Sequence, residues 1–171
     1  MIAQALLDGL VNGAVIGLGA VGVTLTYSIL RFANFAHGEL VSWGAYFAFL
    51  LNLALGSALL SLGAPIGPFS FGWSLPIALV GAVLLSATLA LLVDWLLFGP
   101  LRRKGSAVII LVMASFGAAL ALRNLLEFLF SSAPLYFTNA LQIAMRLPGG
   151  MRATPDQLLS LGIGLGLAVA L

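Results

Sequence analysis

Charge is what this sequence has least of. Of its 171 residues, 7 are Lys or Arg and 5 are Asp or Glu, together 7%, where soluble domains carry about 25%. A soluble globule of this length must turn much of its surface to water, and the chain lacks the polar residues to do so. With apolar residues at 62%, a soluble enzyme and a disordered tail are both excluded. A net charge of +2 is too small for the basic stripe of a nucleic-acid binder, so no nucleic-acid partner is expected. Cysteine is absent, which excludes disulfide scaffolds, thiolate metal sites and Cys nucleophiles, and leaves the redox compartment undecided. What is present is apolar, with a mean hydropathy of +1.18. The sequence reads as an integral membrane protein with the lipid bilayer as its solvent.

A membrane helix needs about 20 mostly apolar residues to cross about 30 Å of hydrocarbon. Residues 10–30 are uncharged and hold one amide, Asn12; residues 40–62 are uncharged; residues 73–98 carry only Asp94; residues 107–130 carry Arg123 and Glu127. A further apolar run covers 157–171, too short to cross, with no polar cap after it. The expected fold class is all-α, a polytopic transmembrane helical bundle of about four complete spans plus a truncated fifth. Residues 1–171 are expected to be the N-terminal part of one longer transmembrane domain. A barrel is excluded because the runs are continuous rather than alternating with period two.

The connectors support these limits. Ala64-Pro65-Ile66-Gly67-Pro68 is turn chemistry, and Gly99-Pro100 is expected to close the third span. Thr154-Pro155-Asp156 reads as an N-cap, a first-turn proline and an acid favoured by the helix dipole. The N-terminus has no basic residue before its apolar run, so a cleaved signal peptide is not expected. The densest basic cluster, Arg102-Arg103-Lys104, is expected to form a cytoplasmic loop. Counting back puts the 31–39 connector on the same side and the N-terminus outside. Four bases then lie inside against two, Arg146 and Arg152, outside.

Gly9, Gly13 and Gly17 recur every fourth residue of the first span, followed by Gly19 and Gly22. Glycines four apart make a flat stripe that admits a neighbouring helix. Two readings are open: ordinary packing in a bundle, or a flexible helix lining a pathway, since Asn12 lies beside the stripe. Arg123 and Glu127, four apart, share a helix face and are placed to pair. They are expected in the outer part of the fourth span, as an interfacial ion pair or as a polar patch facing a substrate entrance. Asp94 is placed to meet Arg102 or Arg103.

The most informative stretch is Arg31-Phe-Ala-Asn34-Phe-Ala-His37-Gly38-Glu39. It gathers a base, an amide, the chain's one His and an acid between two uncharged spans. Polar groups beside hydrocarbon are costly unless paired or wet. The segment is either an interfacial turn with Arg31 and Glu39 in water, or a broken or re-entrant piece whose freed backbone and side chains line a cavity. Asn34, His37, Gly38, Glu39 and Asn12 are the pathway candidates. One His and one Glu fall short of a metal ligand set, so no metal is expected, and H-E-x-x-H is absent.

These residues resemble a known family. The run from Gly22 through Arg31, Asn34-Phe-Ala-His37-Gly38-Glu39 and on to Trp43-Gly-Ala-Tyr46 is similar to the N-terminal signature of bacterial branched-chain amino acid ABC transporter permeases. Gly99-Pro-Leu-Arg102 resembles that family's cytoplasmic P-L-R element, and Ser115-Phe-Gly117 through Arg123-Asn-Leu125 its fourth span. The resemblance covers most of residues 9–130. Related urea and short-amide permeases often carry Met where Phe35 stands, which tilts the reading toward amino acids. Two positions depart from the pattern: Ser42-Trp43, where Met-Leu is common, and Arg123, where Gln is frequent.

The resemblance implies a permease domain in the bacterial inner membrane, partnered by a second permease subunit, two cytoplasmic ABC ATPase subunits and a periplasmic substrate-binding protein. It also implies a chain longer than 171 residues. No catalytic residue is expected. The sequence has no G-x-x-x-x-G-K-[ST] phosphate loop, its single Lys lies in the basic loop, and a Ser-His-Asp triad is not credible. The chain is expected to hold no cofactor, with ATP and magnesium on the partner ATPase. A secondary transporter or channel is the competing class, and its intramembrane acids are too few and too peripheral here to favour it.

Overall fold

A computed structural model describes residues 2–58, 66–67, 69–130, 135–137, 145–146 and 152–170. Its elements are α1 (Ile2–Leu30), α2 (Ala36–Ala58), α3 (Ser74–Val93), a π-helical turn (Asp94–Phe98), α4 (Gly99–Arg103), α5 (Val108–Phe130), strands β1 (Met145–Arg146) and β2 (Arg152–Ala153), and α6 (Pro155–Ala170). Among the described residues, four helical stretches are long and apolar enough to cross a membrane: Gln4–Leu30, Ala36–Ser57, Ser74–Arg103 and Val108–Phe130. The shorter α6 is apolar as well. The fold is an all-α membrane bundle, as the apolar runs imply. The helices are apolar on nearly every face, which suits lipid rather than one aqueous side. Leu91 is 70% and Phe128 85% exposed.

The third span does not end at Gly99-Pro100. The helix runs through to Arg103, because the chain widens into the π turn just before the proline. There Gly99 N–H donates to Asp94 O, five residues back. Such an inserted residue relaxes the ladder that proline would otherwise break. A Cβ on Gly99 would stand 3.3 Å from Asp94 O, so glycine suits this tight approach. The true end follows at Gly105, which is left-handed at φ +67°. Ser106 N–H donates to Leu101 O at 3.1 Å and Gly105 N–H to Arg102 O at 3.0 Å, the paired bonds of a Schellman cap.

Contacts divide the chain into two compact units. The first comprises Met1–Leu25, Pro65–Ser70 and Thr138–Leu171. Within it, α6 packs its Gly164 on α1, where a Cβ would stand 3.2 Å from that of Ala14. The start of α6 is a reciprocal capping box: Gln157 N–H donates to Thr154 Oγ1 (3.3 Å), and Thr154 N–H to Gln157 Oε1 (3.0 Å). The expected N-cap is therefore found, with Gln157 as its partner. Asp156 also holds Ser70 through its backbone N–H and its hydroxyl. Met145–Arg146 pairs antiparallel with Arg152–Ala153. Gln4 completes that edge, its amide bonding Arg152 N–H at 2.8 Å and Arg152 O at 3.0 Å.

The second unit comprises Thr26–Ala64 and Phe71–Phe137. Its main contact is α2 against α3, antiparallel, and small residues make it close. A Cβ on Gly44 would stand 2.9 Å from Ser86 Oγ, and one on Gly81 2.8 Å from Leu51 Cδ1. Ala48, Ala78 and Ala82 are buried nearby. Close approach through small residues is how membrane helices gain contact without a hydrophobic drive. Ser74 Oγ donates to Asn52 Oδ1 at 2.8 Å at the far end.

Candidate functional site

The signature segment is the break between α1 and α2. α1 ends in an αL cap at Arg31, whose φ is 58° and whose N–H donates to Tyr27 O at 2.8 Å. A side chain in that conformation costs about 1–2 kcal/mol relative to glycine. Asn34 then turns the chain. Its Oδ1 accepts Ala36 N–H at 3.1 Å and its carbonyl accepts His37 N–H at 3.2 Å, an Asx turn that opens α2. Phe32 is buried and stacks on Phe98 with centroids 5.3 Å apart.

Two cross-links set the depth of this break. Phe35 N–H donates to Ser115 Oγ at 3.2 Å, and the Trp43 indole N–H donates to Leu122 O at 3.1 Å. α2 therefore runs parallel to α5, with residue 35 level with residue 115 and residue 43 with residue 122. Ser115 is seven residues into α5, about 10 Å of helical rise. On the other side Phe32 clusters with Phe98 and Leu111, against which Leu101 packs. The break thus slants inward from Phe32, near the α4–α5 turn, to Phe35, about 10 Å along α5 from its start. The helix that follows begins at Ala36, four residues before the apolar run at 40–62, so His37, Gly38 and Glu39 lie on its first turn.

At that depth backbone groups must find partners within the protein. Ser115, fully buried, supplies them. Its hydroxyl accepts from Phe35 N–H and faces two carbonyl acceptors, Val112 O at 2.7 Å and Ala33 O at 3.3 Å. His37 Nδ1 lies 3.3 Å from Thr26 Oγ1, in a hydrogen bond whose direction follows the imidazole tautomer. Glu39 lies about 6 Å beyond Phe35 along the direction of α2. Its side chain is 21% exposed, and Oε1 stands 3.9 Å from Arg123 Nη1. Arg123 also meets Glu127, Nε to Oε1 at 3.2 Å. One guanidinium thus stands between two carboxylates.

Comparison with known proteins decides the family. Residues 5–147 match the family described as the permease component of the branched-chain amino acid transport system. The chain belongs to that family. The high-affinity branched-chain amino acid transport system permease protein LivH of Escherichia coli K12 is 29% identical to this permease chain over 122 residues, 71% of the chain and 36% of the relative. BraD of Pseudomonas aeruginosa is 28% identical over 121 residues, with the same coverage. LivH of Salmonella typhimurium is 27% identical over 122 residues, again 71% and 36%. The permease chain spans about a third of the length of these curated relatives. No solved structure gives a significant match.

Of the candidates, Asn34, His37, Gly38 and Glu39 come together at the break in the permease chain. Gly38 contributes its carbonyl, which accepts from Ser42 Oγ at 3.2 Å. Asn12 is exposed on the part of α1 that belongs to the first unit. Beside Gly9, Gly13 and Gly17 no atom of another element lies within 4 Å of an added Cβ among the described residues, and close helix approaches are found there at Gly44, Gly81 and Gly164. Gly22 lies on α1 as well. Arg102 pairs with Asp94 at 2.6 Å, while Arg103 and Lys104 are exposed. Sequence reasoning missed the roles of Thr26, Ser115 and Trp43. A lone serine or tryptophan in an apolar run carries no local sign of the partner it meets across the bundle.

Proposed function

We propose that this chain is the membrane-spanning permease subunit of an ATP-driven importer for branched-chain amino acids, and that it forms part of the translocation pathway. In this reading it sits in the bacterial inner membrane with the Arg102–Lys104 turn cytoplasmic. It assembles with a second permease subunit, two ABC ATPase subunits that bind ATP and magnesium, and a periplasmic binding protein. Residues 1–171 form part of one transmembrane domain. What supports it is the break carrying Glu39, His37 and Asn34 between two helices of membrane-spanning length, which in this reading lies within the bilayer, with Arg123 across from Glu39. Ionisable groups at that depth are expensive and are kept where a polar solute must pass. A zwitterion with an aliphatic side chain needs such mixed walls, apolar for the side chain and polar for its charged ends.

The test is uptake of radiolabelled leucine and urea into proteoliposomes holding all partners, normalised to assembled complex. ATP-dependent leucine uptake is expected, strongly reduced in Glu39→Ala and Asn34→Ala. His37→Gln should retain more activity than His37→Leu, because a hydrogen-bonding ring position is what Thr26 meets. Uptake of urea alone would reassign the substrate, and uptake without ATP would reassign the class. Wild-type rates from the alanine variants would return the segment to a connector.

A further inference from the structure

The third span ends in three successive bases, Arg102-Arg103-Lys104, beside a groove of about 680 Å³. The lining changes character along the helix axis. Leu91, Trp95 and Leu96 form one end, and Arg102 and Arg103 close the other. Twelve residues separate Leu91 from Arg103, about 18 Å of rise, so the groove crosses from acyl-chain depth to headgroup level. Trp95 is 72% exposed, an amphipathic ring where such rings anchor at the interface.

The charges in the groove are not evenly matched. Asp94 also lines it, but Arg102 neutralises Asp94 with both carboxylate oxygens within 2.7 Å. Arg103 and Lys104 are exposed and form no ion pair among the described residues. Arg103 is therefore an unmatched cation lining the foot of the groove, and Lys104, next along the chain and outside the lining, adds a second at the end of the span. A zwitterionic phospholipid brings its own cation and gains little there. An anionic one gains both bases.

We propose that this groove binds one anionic phospholipid, with its phosphate on Arg103 and Lys104 and its glycerol and first acyl carbons along Trp95, Leu96 and Leu91. The site follows from the membrane-spanning fold and does not depend on what the permease carries.

Native mass spectrometry of the purified protein, equilibrated with phosphatidylglycerol or phosphatidylcholine, tests it. The wild type should retain one phosphatidylglycerol in clear preference to phosphatidylcholine. Each base near a membrane surface contributes about fivefold, so Arg103→Gln with Lys104→Gln should weaken phosphatidylglycerol about thirtyfold and leave phosphatidylcholine unchanged. If the double variant fails to fold, Arg103→Gln alone, about fivefold weaker, carries the comparison. Arg152→Gln should have no effect. Equal retention of the two lipids by the wild type, or undiminished phosphatidylglycerol binding by either variant, would overturn the site. So would full displacement of the lipid by soluble glycerol 3-phosphate, which lacks acyl chains. Loss of a cytoplasmic protein partner from the variants, with lipid binding unchanged, would assign the bases to protein docking and also overturn it.

Discussion

Ser115→Ala is the most direct probe of the recessed break. The side chain is fully buried, and alanine is smaller by one oxygen, so packing changes little. Val112 O keeps its place in the α5 ladder, but Phe35 N–H, held at 3.2 Å, loses its acceptor. The bond is part-buried, about 10 Å along α5 from its start at Val108, and Ser115 itself is closed to water. An orphaned buried donor costs about 1–3 kcal/mol. If the cost falls on local opening, amide exchange across residues 31–37 should accelerate about fivefold to 150-fold, since 1.4 kcal/mol is tenfold. Hydrogen–deuterium exchange in nanodiscs, read by mass spectrometry, resolves this peptide from the first turns of α5, which should exchange as before. Ser115→Cys, a similar volume with a weaker acceptor, should fall between. Wild-type exchange across 31–37 in the alanine variant would mean that Ser115 does not hold the break.

Three further outcomes follow from the same geometry. Arg31→Gly removes a side chain from a left-handed backbone at φ 58°, and should raise thermal stability by about 0.5–1 kcal/mol; a loss would show that the guanidinium contributes. Trp43→Phe keeps the ring in the cluster of Ala36, Leu122 and Leu126 but drops the bond to Leu122 O, at about 0.5–1.5 kcal/mol. Trp43→Ala also leaves a cavity, at about 3–5 kcal/mol, and thermal scans of detergent-solubilised protein should rank the two in that order. Thr154→Ala breaks the capping box and should cost α6 about 1 kcal/mol, visible as faster exchange confined to its first turn; unchanged exchange there would show that the cap is idle.

The spans were legible because hydrocarbon demands long apolar runs, and the limits of α5 and α6 fall within two residues of those read from hydropathy. The end of the third span was not, since Gly99-Pro100 looks like a stop and only the π turn before it shows why the helix continues. The polar segment at 31–39 was legible as unusual from its composition alone. Its depth was not, because depth is set by Ser115 and Trp43, whose hydrogen bonds run about 80 residues along the chain, Trp43 to Leu122 and Phe35 to Ser115. Asp94 with Arg102 and Arg123 with Glu127 were both foreseen from spacing, and both pairs form. The approach of Arg123 toward Glu39 was not, for it joins helices far apart in sequence. The glycines of α1 drew the eye by regularity, whereas Gly44 and Gly81, which meet a partner helix, show no pattern.

The clamp between α2 and α3 has a mechanical meaning. Gly44 against Ser86 at one level, and Gly81 against Leu51 with Ser74 on Asn52 at another, fasten the two helices over about 12 Å measured along α2 from residue 44 to residue 52. With so little side chain between the backbones there is no soft layer to shear. The pair behaves as a stiff bar. Regular α-helical bonding is interrupted at each flank of that bar, in the Arg31–Phe35 break and in the Asp94–Phe98 turn, and both flanks lie near the same depth, joined by the stacking of Phe32 on Phe98. The two interruptions share the Phe32–Phe98 contact, so a rotation at either one would load that aromatic pair.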